Sequence, residues 1–102
     1  MTNPSMALQA LGDPTRREIF ECLARRSLAV TDLANALPVS RPAVSQHLRV
    51  LRNAGLVMMR QRGTRHVYQV DPEGVEMMRQ YLDRIWDSAL ASFKAFAEGK
   101  NQ

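Results

Sequence analysis

The segment from Val30 to Gly55 leaves this chain few ways to fold. Two apolar patterns of helical period lie there, separated by Leu37-Pro38-Val39 alone. Val30, Leu33, Ala34 and Leu37 are spaced as one face of a short helix over about Val30–Ala36. Pro38 ends it, because the residue before a proline is pushed out of the helical region. Ser40 is a residue type that caps a helix start, and Pro42 is tolerated in a first turn. Val44, Leu48 and Leu51 then recur at i, i+4 and i+7. Ala54-Gly55 closes this second helix, since glycine takes the left-handed conformation found past helix ends. Two short helices around a tight turn, the second capped and amphipathic, form a helix-turn-helix pattern. With Val44, Leu48 and Leu51 turned inward, Arg41, Ser45, Gln46, Arg49 and Arg52 face outward.

Charge sharpens this reading. The net charge is +4, and from Leu33 to Val70 there is not one Asp or Glu. That 38-residue stretch holds six of the twelve arginines (Arg41, Arg49, Arg52, Arg60, Arg62 and Arg65) and both histidines, His47 and His66. A solvated face ordinarily mixes signs, whereas a surface that meets DNA phosphates must exclude carboxylates. The bland alternative is a basic face with no partner.

The remaining residues complete a single domain spanning 1–102. Met1–Ser5 reads as a flexible lead-in and Met6–Leu11 as one or two helical turns. Asp13-Pro14 starts a helix that carries Ile19, Phe20, Leu23 and Ala24 to about Arg26. From Leu56 to Val70 the period changes. Val57 and Met59, then Val67, Tyr68 and Val70, are strand-like, and Gly63 marks a hairpin turn within Arg60-Gln61-Arg62-Gly63-Thr64-Arg65. Such a ribbon directly after a helix-turn-helix reads as a wing, able to follow a phosphate backbone or enter a minor groove. Asp71-Pro72 opens the last helix, expected over 72–97. Its apolar stripe of Val75, Met78, Leu82, Ile85, Ala89 and Phe96 is widened by Met77, Tyr81, Trp86, Leu90 and Phe93. That exceeds what one small core needs, so one edge is expected to face inward and the other a second subunit. The fold class is therefore mainly α with a small β-hairpin: a winged helix-turn-helix of about five helices and a two-stranded wing.

Other functions find little support. No apolar run approaches the ~20 residues of a membrane span, and Met1–Leu11 lacks the basic start and long apolar stretch of a secretory signal. One cysteine, Cys22, excludes an intramolecular disulfide framework and fits a reducing, cytoplasmic setting. No Ser/His/Asp arrangement, phosphate-cradling glycine loop or HExxH motif is present, so the chain is read as neither an enzyme nor a cofactor binder. His47 has no ligand-type residue three or four positions away and is read as structural or DNA-adjacent, not metal-ligating.

The run Ser45-Gln46-His47-Leu48 to Leu51, followed by Ala54-Gly55-Leu56-Val57, resembles the ArsR-type (arsenic-repressor-like) winged-helix repressors. Leu11-Gly12-Asp13-Pro14-Thr15-Arg16-Arg17 with Ile19, Val39-Ser40 with Val44, and Arg62-Gly63 through Tyr68 extend the likeness over about 7–96. The resemblance implies a homodimer that binds an operator and blocks transcription until a signal releases it. The best-known metal sensor of that family has two thiolates where this chain has Ala29 and Thr31. A second family site uses Asp and His of the last helix. Here that helix offers Glu76, Asp83 and Asp87 but no His or Cys, a poor set for a soft metal.

The candidate DNA-binding residues are Ser40, Arg41, Ser45, Gln46, His47, Arg49, Arg52, Arg60, Arg62 and Arg65. Ser45 and Gln46 suit base edges, Arg41 an edge or a phosphate, and Arg49, Arg52, Arg62 and Arg65 the backbone. The candidate dimer interface is Met6, Leu8, Leu82, Ile85, Trp86, Ala89 and Phe93. The expected partners are an inverted-repeat duplex operator and a second copy of the chain. Two other classes remain: a winged helix that binds a protein, and a redox-responsive regulator acting through Cys22.

Overall fold

Proline and a capping oxygen set most helix starts in this chain. The computed structural model describes residues 3–99. Helix α1 (Pro4–Ala10) begins where Asn3 Oδ1 accepts the Met6 amide at 2.9 Å. Helix α2 (Pro14–Arg25) begins where Asp13 Oδ2 accepts the Arg16 amide at 2.9 Å. Helix α3 spans Val30–Ala36, and helix α4 (Arg41–Asn53) is capped by Ser40 Oγ, which accepts the Ala43 amide at 3.3 Å. Helix α5 spans Pro72–Gly99. Each proline supplies a fixed φ where an amide hydrogen is not needed. Ala29 has no side-chain oxygen to cap α3, so Asp32 reaches back and accepts its amide at 2.9 Å.

The lead-in expected at Met1–Ser5 is a correction. Pro4 and Ser5 already belong to α1, because Asn3 caps a turn that apolar spacing does not reveal. Met1 and Thr2 lie outside the described residues.

Strands β1 (Val57–Arg62) and β2 (Arg65–Val70) pair antiparallel from Val57↔Val70 to Arg62↔Arg65. Two residues, Gly63 and Thr64, connect them, and Gly63 takes φ +62°. This turn needs positive φ at its first central position, which glycine adopts without strain. The arginine-rich tip expected over Arg60–Arg65 is therefore mostly ladder, with Arg60, Arg62 and Arg65 on paired strands.

The core lies under the helix-turn-helix. Ile19, Leu33, Val44, Leu48, Leu51 and Leu56 are its largest fully buried side chains. They come from α2, α3, α4 and the start of the hairpin, so α4 is seated from below by its three spaced residues. Backbone bonds between Leu28 and Tyr68, at 3.0 and 2.7 Å, tie the α2–α3 connection to β2.

The inward edge of helix α5 is confined to its first turns. Its one buried residue among those described is Gly74, while Met77 and Met78 are half-buried against the core. A Cβ at Gly74 would lie 1.8 Å from the Gly55 carbonyl oxygen, so α5 rests its backbone directly on the end of α4. The Asp71 amide donates to the Leu56 carbonyl at 2.9 Å and pins the same corner. From Leu82 through Phe96 no residue is buried or half-buried. The division is thus also lengthwise: the first turns dock on the domain and the rest projects from it.

Candidate DNA-binding face

The burial of Val44, Leu48 and Leu51 dictates the opposite face of α4. Arg41, Ser45, Gln46, Arg49 and Arg52 are all exposed there. Ser40 also lies at the surface, with its hydroxyl engaged in capping. His47 is half-buried at the flank of the helix, its Nδ1 4.0 Å from Asp13 Oδ2. It therefore touches the start of α2, and its position is more lateral than that of Gln46.

The wing stands beside this face. Arg60, Arg62 and Arg65 are exposed. A cleft of about 350 Å³ opens between α4 and β2, lined by Ser45, Arg49, Arg52, Asn53 and Tyr68. Asn53 and Tyr68 are additions to the site that sequence reading missed. Tyr68 was legible as a strand residue, and its place at the cleft depends on the pairing of β2 with Leu28, between residues forty positions apart.

Arg65 is not simply solvated. Its Nη2 donates to Asp32 Oδ2 at 3.0 Å. Asp32 is held below the usual carboxylate range, first by the Ala29 amide and then by the Arg65 charge. Asp13 is likewise lowered, chiefly by the Arg16 amide it accepts. Cys22 is half-buried on α2, with Arg25 Nη2 3.8 Å from its Sγ. Among the described residues, no three His, Cys, Asp or Glu side chains cluster as a metal site requires. None of the helices described is long and apolar enough to cross a membrane.

A helix-turn-helix whose second helix exposes arginines and a glutamine, flanked by an arginine-bearing ribbon, is a winged helix-turn-helix of the DNA-binding kind. Residues 13–58 match the family described as "Bacterial regulatory protein, arsR family". The chain is 57% identical over 91 residues to the HTH-type transcriptional regulator Rv2034 of Mycobacterium tuberculosis, covering 89% of this chain and 85% of that one. It is 36% identical to an arsenical resistance operon repressor of Staphylococcus xylosus, over 79% of this chain and 78% of the relative. Among solved structures, an ArsR-like transcriptional regulator from Rhodococcus sp. RHA1 superposes with a TM-score of 0.78 at 35% identity, covering 92% of each chain. The chain belongs to the ArsR family and is a DNA-binding transcriptional regulator, not an enzyme.

Proposed function

We propose that this chain works as a homodimeric repressor, setting two α4 helices into successive major grooves of an inverted-repeat operator in the cytoplasm. The observation that carries the reading is the exposed apolar stripe of α5. Trp86 is 65% exposed, Phe93 68% and Phe96 71%, and Leu82, Ile85 and Leu90 continue the row. Met6 and Leu8 of α1 are also exposed apolar residues. Arg79 meets Glu76 and Asp83 at 2.7 Å beside the start of this row. A row of large apolar side chains in water is unusual for a monomer. A second copy related by two-fold symmetry covers it with the same residues.

Symmetry then sets the operator. Two recognition helices about 34 Å apart require half-sites one helical turn apart, or a small multiple of that. Within each half-site, Ser45 and Gln46 read base edges. Arg41 takes an edge or a phosphate, and the other arginines of α4 and the wing hold the backbone. Occupancy of a promoter by the dimer would block transcription, and repressor is the role that the name of the Staphylococcus xylosus relative gives to that protein.

Footprinting on the DNA upstream of the chain's own coding region tests this reading. Protection of an inverted repeat supports it. The affinity should fall steeply with salt, log K against log[salt] sloping by about −7 if each subunit of the dimer sets four arginines on phosphates. A flat salt response would point instead to a protein-binding winged helix.

A further inference from the structure

One arginine of the acid-free stretch differs from the rest. Among the described residues, Arg65 alone of those six has a carboxylate within 4.0 Å, and that carboxylate is Asp32 at 3.0 Å. Asp32 is held in place, because the same oxygen accepts the Ala29 amide at the start of α3. Behind the pair, the two backbone bonds between Leu28 and Tyr68 join β2 to the α2–α3 connection. The start of α3 therefore presents an anchored anionic oxygen to the guanidinium, as a DNA phosphate does. Both partners are open to water, with the side chains of Arg65 and Asp32 59% and 41% exposed. Such a pair is weak, and the long arginine side chain can leave it with no change in the backbone.

We propose that Asp32 is an internal stand-in for DNA phosphate, which Arg65 gives up on binding, so that Asp32 lowers the affinity for duplex DNA of every sequence. The proposal rests on the reading of the wing arginines as phosphate contacts. Binding separates Arg65 from its carboxylate and leaves that carboxylate unpaired beside a polyanion. Both steps oppose association, and neither involves a base edge. Asp32 therefore sets the level of DNA affinity and leaves the discrimination made by Ser45 and Gln46 unchanged. The competing arrangement keeps the pair closed in the complex, where it would serve to hold the wing.

Asp32→Asn separates the two, since asparagine keeps an acceptor for the Ala29 amide and removes the charge. Binding is read by fluorescence anisotropy with a labelled random-sequence duplex of about three helical turns and with the chain's own upstream DNA. At about 50 mM salt, Asp32→Asn should tighten both by roughly three- to tenfold, an advantage that shrinks by about 200 mM. In the Arg65→Ala background the gain should be at least halved. Binding by Asp32→Asn that is weaker than wild type, or within about twofold of it, overturns the proposal and favours the closed pair. A thermal melt shows whether the variant folds. If it does not, the carboxyl ¹³C resonance of Asp32 is followed in the unaltered protein as the random duplex is added. Movement toward its position in Arg65→Ala supports release, and an unmoved resonance overturns it. A wild-type protein that binds neither duplex removes the DNA reading and the proposal together. A wild type that binds leaves the DNA reading standing, and the sign of the Asp32→Asn effect then reports on Asp32 alone.

Discussion

Gln46 and Arg62 are both exposed and stand on different elements, and the proposed reading gives them different tasks. A glutamine on the outward face of α4 offers a donor and an acceptor at fixed spacing, the pattern that pairs with an adenine edge. Gln46→Ala should relax specificity by about 1–3 kcal/mol at one operator position and leave binding to random DNA nearly unchanged. Arg62→Ala should weaken all sequences alike and make the salt slope shallower by about 1 for each phosphate that is no longer neutralised. Competition binding with a set of single-base operator variants reads both, and equal effects on cognate and random DNA would reject the division of roles. Gly74 is a residue-scale feature of another kind. Its missing side chain admits the Gly55 carbonyl, which a Cβ would meet at 1.8 Å. Gly74→Ala should lower the melting temperature by an amount corresponding to about 1–3 kcal/mol, the usual cost of overpacking. Nothing in the pattern of α5 marks this glycine, because the partner is backbone from another element. The outward face of α4 was legible, because the apolar spacing that seats a helix also fixes its opposite face.

At the scale of elements, helix starts were legible where a capping side chain and a proline led into a run with a visible apolar period. Asp13-Pro14 and Ser40 begin helices as expected. Asn3 went unread, since Pro4 and Ser5, which open the turn it caps, carry none of the apolar pattern. The acidic caps carry a pH dependence of definite sign. Asp13 and Asp32 ionise below their ordinary value of 3.8 in the folded chain. The stability they contribute is therefore complete above that ordinary value and is lost as the pH falls through the lowered one. Asp13→Asn keeps the cap acceptor without a titrating group, so it should unfold less steeply than wild type below about pH 4, as followed by circular dichroism. The recognition helix has its own sensitivity. Leu48 is 1% exposed beneath α4, and Leu48→Ala should cost about 2–5 kcal/mol, a large share of the stability of a domain this size. Urea denaturation measures it.

The whole molecule is elongated, with extents of 67 × 25 × 22 Å and a radius of gyration of 17.8 Å. A closed domain of this length has about 13 Å, and the excess is the projecting part of α5. A helix of 28 residues runs about 42 Å, longer than its own domain can cover. Trp86→Glu places a charge in the middle of the exposed stripe. In analytical ultracentrifugation it should sediment as a monomer, and it should lose tight operator binding while retaining helical content. A variant that stays dimeric and binds normally would place the interface elsewhere. The period of the apolar residues, the prolines and the capping side chains are local properties, and they were enough to draw the helices, the hairpin and the outward face of α4. The acid-free stretch likewise announced the charge of that face. Three features were written in no local pattern. They are the seat of α5 on the Gly55 peptide, the placing of Tyr68 and Asn53 at one cleft, and the meeting of Arg65 with Asp32. Each joins groups distant in the chain, and such groups come together only when packing has fixed the angles between elements.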